Sequence, residues 1–211
     1  MKLLYVADPM CSWCWGFSPV VTTLAERFRQ AAPIEVVMGG LRPGTTDPMT
    51  EDMKSTISEH WRHVEEASGQ PFDFGFFDRE SFVYDTEPAS RAVVTARGLD
   101  RRRSLAFLSA VQGAFYRDAR DVTDPGVLAD IAAEEGFDRA EFERAHGSAG
   151  ARDQTASDFD AAGRLGVRGF PTLLGLDGRT FVVLTAGFRP LVDVLPIVEA
   201  WLADPPALPA R

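Results

Sequence analysis

The sequence predicts an α/β protein whose two ends share one sheet, with a long helical segment set between them. Three observations predict it. Strand-like and helix-like patterns alternate over residues 1–41 and again over 160–203, whereas residues 42–159 read as helices alone. The N-terminal pattern is strand, helix, strand, and the C-terminal pattern is hairpin, helix. The only two cysteines, Cys11 and Cys14, stand three positions apart where the first strand ends and the first helix begins. A shared spacing of that kind is a poor match to chance.

Composition sets the bounds. The chain has 211 residues, enough for one sizeable core or one core with an insertion. Hydrophobic residues make up 45% and charged residues 25%, the balance of an ordinary globular protein. A net charge of −9 argues against a nucleic-acid surface, which needs a basic face. No apolar run approaches the ~20 residues of a membrane span. The opening Met1–Pro9 has too short an apolar run for a signal peptide, and Asp8-Pro9 breaks it. The expectation is therefore a cytoplasmic protein with neither nucleic-acid nor membrane partners. In that compartment a Cys-x-x-Cys pair cycles or binds metal, because structural disulfides do not persist there.

The elements follow in order. Leu3-Leu4-Tyr5-Val6 is a buried strand. Phe17, Val20, Val21, Leu24 and Phe28 recur at helical spacing, so a helix runs to about Gln30, with a kink at Pro19. Ile34–Met38 is a second strand, closed by Gly39-Gly40, and a strand–helix–strand unit of this length pairs its strands in parallel. Asp47-Pro48 is read as a helix start, with Asp47 as cap. The aromatic stretch Pro71–Phe77 is read as a loop packed on the core. Thr86-Glu87-Pro88 opens a helix to about Arg97, and Leu105, Leu108, Val111 and Phe115 mark another. Asp124-Pro125 starts a short helix, Asp138 caps the next, and a further one spans about 151–165. Leu173–Leu176 and Thr180–Leu184 form a hairpin about Asp177-Gly178. A last helix from Pro190 to Leu202 presents Leu195, Val198 and Leu202. The tail, residues 204–211, is expected to fray.

The cysteine pair carries the chemistry. At the start of a helix the first thiol meets unpaired N–H groups and the positive end of the dipole, which favours the thiolate that attacks disulfides. Cys11 is thus the expected nucleophile. Cys14, one turn inside, is the expected resolving thiol. Two other readings stay open. The pair can be half of a zinc site, with His60 and His63 as an H-x2-H partner of unusually short spacing. It can also be a buried structural pair. Met10, Trp13, Trp15 and Phe170 are candidates for an apolar platform for unfolded clients, with Met10 and Trp15 equally readable as core. Asp8 is either a proton acceptor for Cys14 or a turn former. Asp85 and Thr86 are read at the site rim or as a cap. His60, His63 and His146 are expected at the surface.

On Cys11-Ser12-Trp13-Cys14 and Gly166-Val167-Arg168-Gly169-Phe170-Pro171-Thr172, the chain resembles the DsbA-like family, in particular its soluble cytoplasmic branch of predicted protein-disulfide isomerases. The resemblance is specific over 1–41 and 160–203. Across the insertion it rests on helical character and Tyr84–Ala89. It implies a thioredoxin-like fold with a helical domain inserted between the βαβ and ββα halves. It implies a thiol-disulfide oxidoreductase or isomerase working through a mixed disulfide at Cys11 and Cys14. It also implies that Pro171 is cis and lies beside the cysteines, shaping a substrate groove that leaves the Phe170 backbone free to pair with a client strand. No bound cofactor is expected beyond the Cys11–Cys14 couple itself. Partners are thiol- or disulfide-containing proteins or small thiols, with glutathione a candidate co-substrate. The family's periplasmic members carry Cys-Pro-His-Cys. Ser12-Trp13 lacks that imidazole, which implies a less stabilised thiolate and a weaker oxidant. A competing class shares the fold with inserted helices: glutathione-dependent isomerases and transferases of the hydroxychromene-carboxylate and kappa types. Those commonly carry serine at the first active position and lack the second cysteine.

Overall fold

The computed structural model describes residues 1–178 and 180–205. Eight α-helices and a four-stranded sheet follow one another along them. Strand β1 (Lys2–Ala7) leads into helix α1 (Ser12–Arg27) and strand β2 (Ile34–Met38). Then come α2 (Glu51–Ser68), α3 (Glu87–Leu99), α4 (Ser104–Tyr116), α5 (Pro125–Glu134), α6 (Arg139–His146) and α7 (Ala149–Arg164). Strands β3 (Thr172–Asp177) and β4 (Thr180–Ala186) and helix α8 (Leu191–Ala203) close the chain. The expected frayed tail lies, from residue 206, outside the described residues. Among the described residues no helix is long and apolar enough to cross a membrane.

The sheet order is β2-β1-β3-β4. β1 and β2 are parallel, with Tyr5 opposite Val36, and β1 and β3 are antiparallel, with Tyr5 opposite Leu173. The two ends of the chain therefore meet at β1. Because successive side chains of a strand point to opposite faces, β1 feeds two cores. Leu3, Tyr5 and Ala7 join the main core, while Leu4 and Val6 pack with Leu174 and Ala162 of α7. The expected boundary at residue 160 falls inside α7, so that helix belongs to the expected insertion and to the sheet at once.

Local chemistry explains most element ends. Asp124, Asp138 and Ser148 cap α5, α6 and α7 by accepting from the N–H of Val127, Glu141 and Ala151. Three expectations are corrected. Helix α2 begins after Thr50, whose hydroxyl accepts from Met53 N–H, while Pro48 forms an isolated bridge with Val83. Asp47 is a bend that leads into that bridge. Within the aromatic stretch, Phe74–Asp78 form a short 3-10 helix, and Phe76 is buried. The buried face of α8 is Val194, Val198 and Trp201, shifted by one position from the Leu195/Leu202 stripe. Trp201 sets that rotation: its ring lies over Gly175 of β3, where a Cβ would collide with it.

Pro19 lies inside α1 and has no N–H, so the carbonyl of Trp15 four residues earlier loses its helical partner. The Gln70 side-chain amide donates to it at 3.2 Å, and the Trp15 indole donates to the Pro71 carbonyl at 3.1 Å. These bonds bind α1 to the segment after α2. The helical segment has its own centre at Trp61, 1% exposed, with the rings of Phe72, Phe76, Phe77 and Tyr116 within 5.3 Å of it.

The β2 edge of the sheet is closed by side chains. The Arg97 guanidinium of α3 donates to the Val36 carbonyl at 2.7 Å, and the Asp158 carboxylate of α7 accepts from Met38 N–H at 3.0 Å. The two side chains also pair with each other, at 2.7 and 2.8 Å. Between them they supply the donor and the acceptor that a further strand would supply. The side chains are 18% and 8% exposed, so removing one leaves the other charged and covered. Arg97→Ala should cost roughly 3–5 kcal/mol in urea unfolding. The paired replacement Arg97→Met with Asp158→Leu should cost less than Arg97→Ala alone. Equal losses would mean that the packing, and not the stranded charge, dominates.

Candidate active site

Cys11 is the N-cap residue of α1, with φ −96° and ψ 114°, so the chain turns from strand to helix at the sulfur-bearing residue. Its carbonyl accepts from Cys14 N–H at 2.9 Å and from Trp15 N–H at 3.1 Å, the first bonds of the helix. No acidic residue stands in that first turn to oppose a thiolate. Both thiols are free. Cys11 keeps 7% of its surface and Cys14 none, so a reagent from solution reaches only the first. The Cys11 thiol donates to the Phe170 carbonyl at 3.7 Å, a weak contact that holds it against the loop before β3. The Phe170–Pro171 peptide is cis.

Burial pushes the Cys14 thiol well above its ordinary pKa, and its contact with Cys11 pushes it further. Loss of its proton thus needs a nearby acceptor. Asp8 is fully buried at the end of β1. One carboxylate oxygen accepts from Met10 N–H at 2.9 Å, and the other from Leu41 N–H at 2.8 Å. It therefore forms a turn ahead of the cysteines and fastens the loop after β2 to that turn. Burial raises its pKa from 3.8 to about 6, against the N–H groups of Leu41 and Met10 and the Thr86 and Ser90 hydroxyls, which lower it. The same carboxylate's field reaches Cys14. Tyr84 donates to the Met10 carbonyl at 2.8 Å and completes this covered polar layer.

A cleft of about 510 Å³ opens in front of Cys11. Its walls are the cysteine turn (Ser12, Trp13), the loop after β2 (Gly39 to Arg42), one face of α2 (Ile57, His60, Trp61), Tyr84, the end of α7, and Val167 to Phe170. Trp13 is half-buried and packs on Phe188 at 5.6 Å between centroids, and Phe170 is half-buried with its ring over Gly39, where a Cβ would collide. Met10 is fully buried yet lines the cleft, and Trp15 is core, stacked on Tyr116, so neither side chain offers an exposed platform. Asp85 caps its own turn by accepting from Gly44 and Glu87 N–H, away from the cleft. Thr86 makes no side-chain cap; its hydroxyl accepts from Arg42 N–H.

The histidines divide. His146 is buried, its ring stacked on Phe142, and burial lowers its pKa to about 4. His60 is exposed but stands on the cleft wall, and His63 is exposed. Among the described residues no three His, Cys, Asp or Glu side chains converge as a metal site. Sequence reasoning missed Arg42, His60 and Trp61 as cleft residues. They come from a loop and a helix with no local signal of chemistry, and only the packing of α2 brings them to Cys11.

The pKa of Asp8 has a consequence for stability. The folded protein holds the Asp8 proton more tightly than the unfolded chain, so this contribution is complete below pH 3.8 and is lost as pH rises through about 6. The difference corresponds to about 3 kcal/mol. In urea unfolding from about pH 4 to about pH 7, the stability of the wild type relative to Asp8→Asn should fall by that order. A constant or rising difference would mean that Asp8 ionises at no cost in the fold.

Comparison with known proteins agrees with this architecture. A family model described as thioredoxin matches residues 4–182. The crystal structure of a Nitrosomonas europaea protein described as a candidate protein disulfide isomerase is 32% identical, with a TM-score of 0.91, covering 98% of this chain and all (100%) of that one. The cytosolic disulfide reductase DsbM from Pseudomonas aeruginosa is 26% identical, with a TM-score of 0.79 over 96% of this chain and 99% of that one, and has also been solved with GSH. The ClpXP adapter protein SpxH of Bacillus subtilis is 24% identical over 174 residues, 82% of this chain but 57% of its own length, so the present chain spans little more than half of that relative. A sheet joined at β1, a Cys-x-x-Cys at the head of α1, and a match over most of the length lead to one conclusion: the chain belongs to the thioredoxin family.

Proposed function

We propose that this protein is a thiol–disulfide oxidoreductase that works through a mixed disulfide on Cys11. One observation carries the reading: Cys11 caps a helix at the mouth of a cleft, and Cys14 lies sealed one turn beneath it. The Cys11 thiolate attacks a client disulfide, forming a Cys11–client bond and releasing one client thiolate, which takes up a proton. Cys14 gives up its proton, and its sulfur attacks the Cys11 sulfur. The second client thiolate leaves and the Cys11–Cys14 disulfide closes. Asp8 serves as the proton acceptor for Cys14. It is the buried carboxylate whose field reaches that thiol, and its pKa of about 6 lets it both take and return a proton near neutrality.

The direction that fits is reduction or exchange, not strong oxidation. Ser12 and Trp13 add no charge beside Cys11, and strongly oxidising pairs owe their potential to a heavily stabilised thiolate. The similarity to DsbM, a cytosolic disulfide reductase, supports the same direction and a cytosolic setting. The buried Cys14 beneath Cys11 favours dithiol exchange over the single-thiol chemistry of the glutathione-dependent isomerases.

Cys11→Ser should abolish insulin reduction, whereas Cys14→Ser should accumulate Cys11-linked mixed disulfides. Limited iodoacetamide near neutral pH should label Cys11 before Cys14, read by peptide mapping. Undiminished reduction by Cys11→Ser, or first labelling of Cys14, would reverse the two roles.

A further inference from the structure

Thiol–disulfide exchange at Cys11 leaves one proton without a source. When the Cys11 thiolate attacks a client disulfide, the departing client sulfur carries a negative charge into the cleft. An ordinary alkyl thiol holds its proton at neutral pH, so that charge calls for an acid. Asp8 cannot supply it. That carboxyl is fully buried, spends both oxygens on backbone N–H groups and does not line the cleft.

Among the described residues the ionisable groups lining the cleft are Cys11, Arg42, His60, Tyr84 and Arg168, with no aspartate or glutamate. The two guanidiniums never give up a proton. Tyr84 is buried, its hydroxyl donates to the Met10 carbonyl at 2.8 Å, and burial pushes its pKa up. Histidine is the ordinary side chain that changes charge between pH 5 and 8. His60 brings an imidazole to this cleft, and Ser12 and Trp13 bring none. It lies three residues after Ile57 and one before Trp61 in α2, and all three line the cleft. Residues three and four apart share a helix face, so the stripe that packs α2 also sets His60 on the wall. His63, one turn further along, is exposed and does not line the cleft, and His146 is buried against Phe142. In-line attack puts the departing sulfur about two S–S bond lengths, roughly 4 Å, out from the Cys11 sulfur. That is outward into the cleft, toward its walls.

We propose that His60 is the acid of the cleft: its imidazolium meets the departing client sulfur and gives it a proton. The proposal rests on the thiol–disulfide reading and names the proton donor that this reading lacks. The Cys11 thiolate attacks one client sulfur, the client S–S bond breaks, and the electron pair leaves on the second sulfur. The ring N–H proton of His60 passes to that sulfur and leaves a neutral imidazole, which water recharges. In resolution the Cys14 sulfur attacks the Cys11 sulfur. The first client sulfur then leaves with its electron pair and takes the next proton from His60. One client disulfide is reduced to two thiols and the protein dithiol is oxidised to one disulfide, so electrons balance. Arg42 and Arg168 share the cleft and attract the departing thiolate, but they hold their protons. A departed thiolate left charged can attack the mixed disulfide and reverse the step, so its protonation commits the exchange.

The test uses the full chain in its reduced form and two uncharged disulfides that differ in what leaves. Bis(2-hydroxyethyl) disulfide releases an alkyl thiolate that takes a proton. 4,4′-Dithiodipyridine releases a thiolate of low pKa that departs without one. Stopped-flow tryptophan fluorescence reads the first reaction and product absorbance the second, each expressed per Cys11 thiolate. At about pH 6, His60→Gln should slow the hydroxyethyl reaction about tenfold, the scale of one charge-assisted contact, and leave the pyridyl reaction nearly unchanged. By about pH 8.5, where an imidazole is neutral, the wild-type advantage should be gone. His63→Gln should change neither reaction. His60 is exposed, so its substitution leaves the core intact. Equal slowing with both disulfides would assign His60 a role in shape alone and overturn the proton transfer. No slowing with either, or an advantage that persists at high pH, would overturn it as well. In all three cases the wild type still exchanges, and the thiol–disulfide reading stands. Failure of the reduced wild type to react with either disulfide would overturn that reading itself.

Discussion

A buried carboxylate holds the site together. Asp8 stands at the end of β1 with no access to solvent and spends both oxygens on backbone N–H groups, one in the cysteine turn and one in the loop after β2. Burying a group that charges at neutral pH costs free energy, and its raised pKa records that cost. What the fold gains is position. The two loops that face each other across the cleft are fixed to one side chain, so the distance between Cys11 and Arg42 depends on packing within the core and not on two independent loop conformations. The same carboxylate is within electrostatic reach of Cys14, so the group that shapes the cleft also bears on the charge of the buried thiol.

The inserted helices do more than cover the sheet. Trp61 gathers the aromatic rings of the segment after α2 on one side and lines the cleft on the other. Gln70 and Pro71 bind that segment to the opened turn of α1, beside the cysteines. Cleft wall and nucleophile thus share one rigid body of packed aromatics. On the opposite wall Phe170 lies against Gly39, which it can do only where no side chain intervenes.

The fold was legible where local chemistry and period agree. The strand before Cys11, the helix after it, the parallel return to Ile34–Met38 and the hairpin at Asp177-Gly178 all carry signals within a few residues. Caps by Asp124 and Asp138 are local and were readable; Thr50 was obscured by the stronger-looking Asp47-Pro48, whose role is a tertiary bridge to Val83. The rotation of α8 is set by a contact between Trp201 and Gly175, which lie 26 positions apart in sequence, and no helical period encodes it. The cysteine pair was legible for the same local reasons as the fold. The far wall of the cleft was not. Arg42 and His60 lie in a loop and a helix with no local sign of this site, and only the folded chain brings them beside the segment before Pro171 that the sequence did single out.

The closed edge of the sheet bears on how such a protein can change over time. A minimal unit of βαβ and ββα halves is easily imagined without its middle segment. Here that segment supplies Arg97, and α7 supplies Asp158, to the exposed border of β2. Excision of α3 would uncover the Val36 carbonyl and leave a carboxylate beside the sheet with no counterion. The insertion has therefore ceased to be a module. It can drift in sequence along its outer faces and gain or lose loops, but a lineage that carries this ion pair cannot shed the segment without first rebuilding the border it protects.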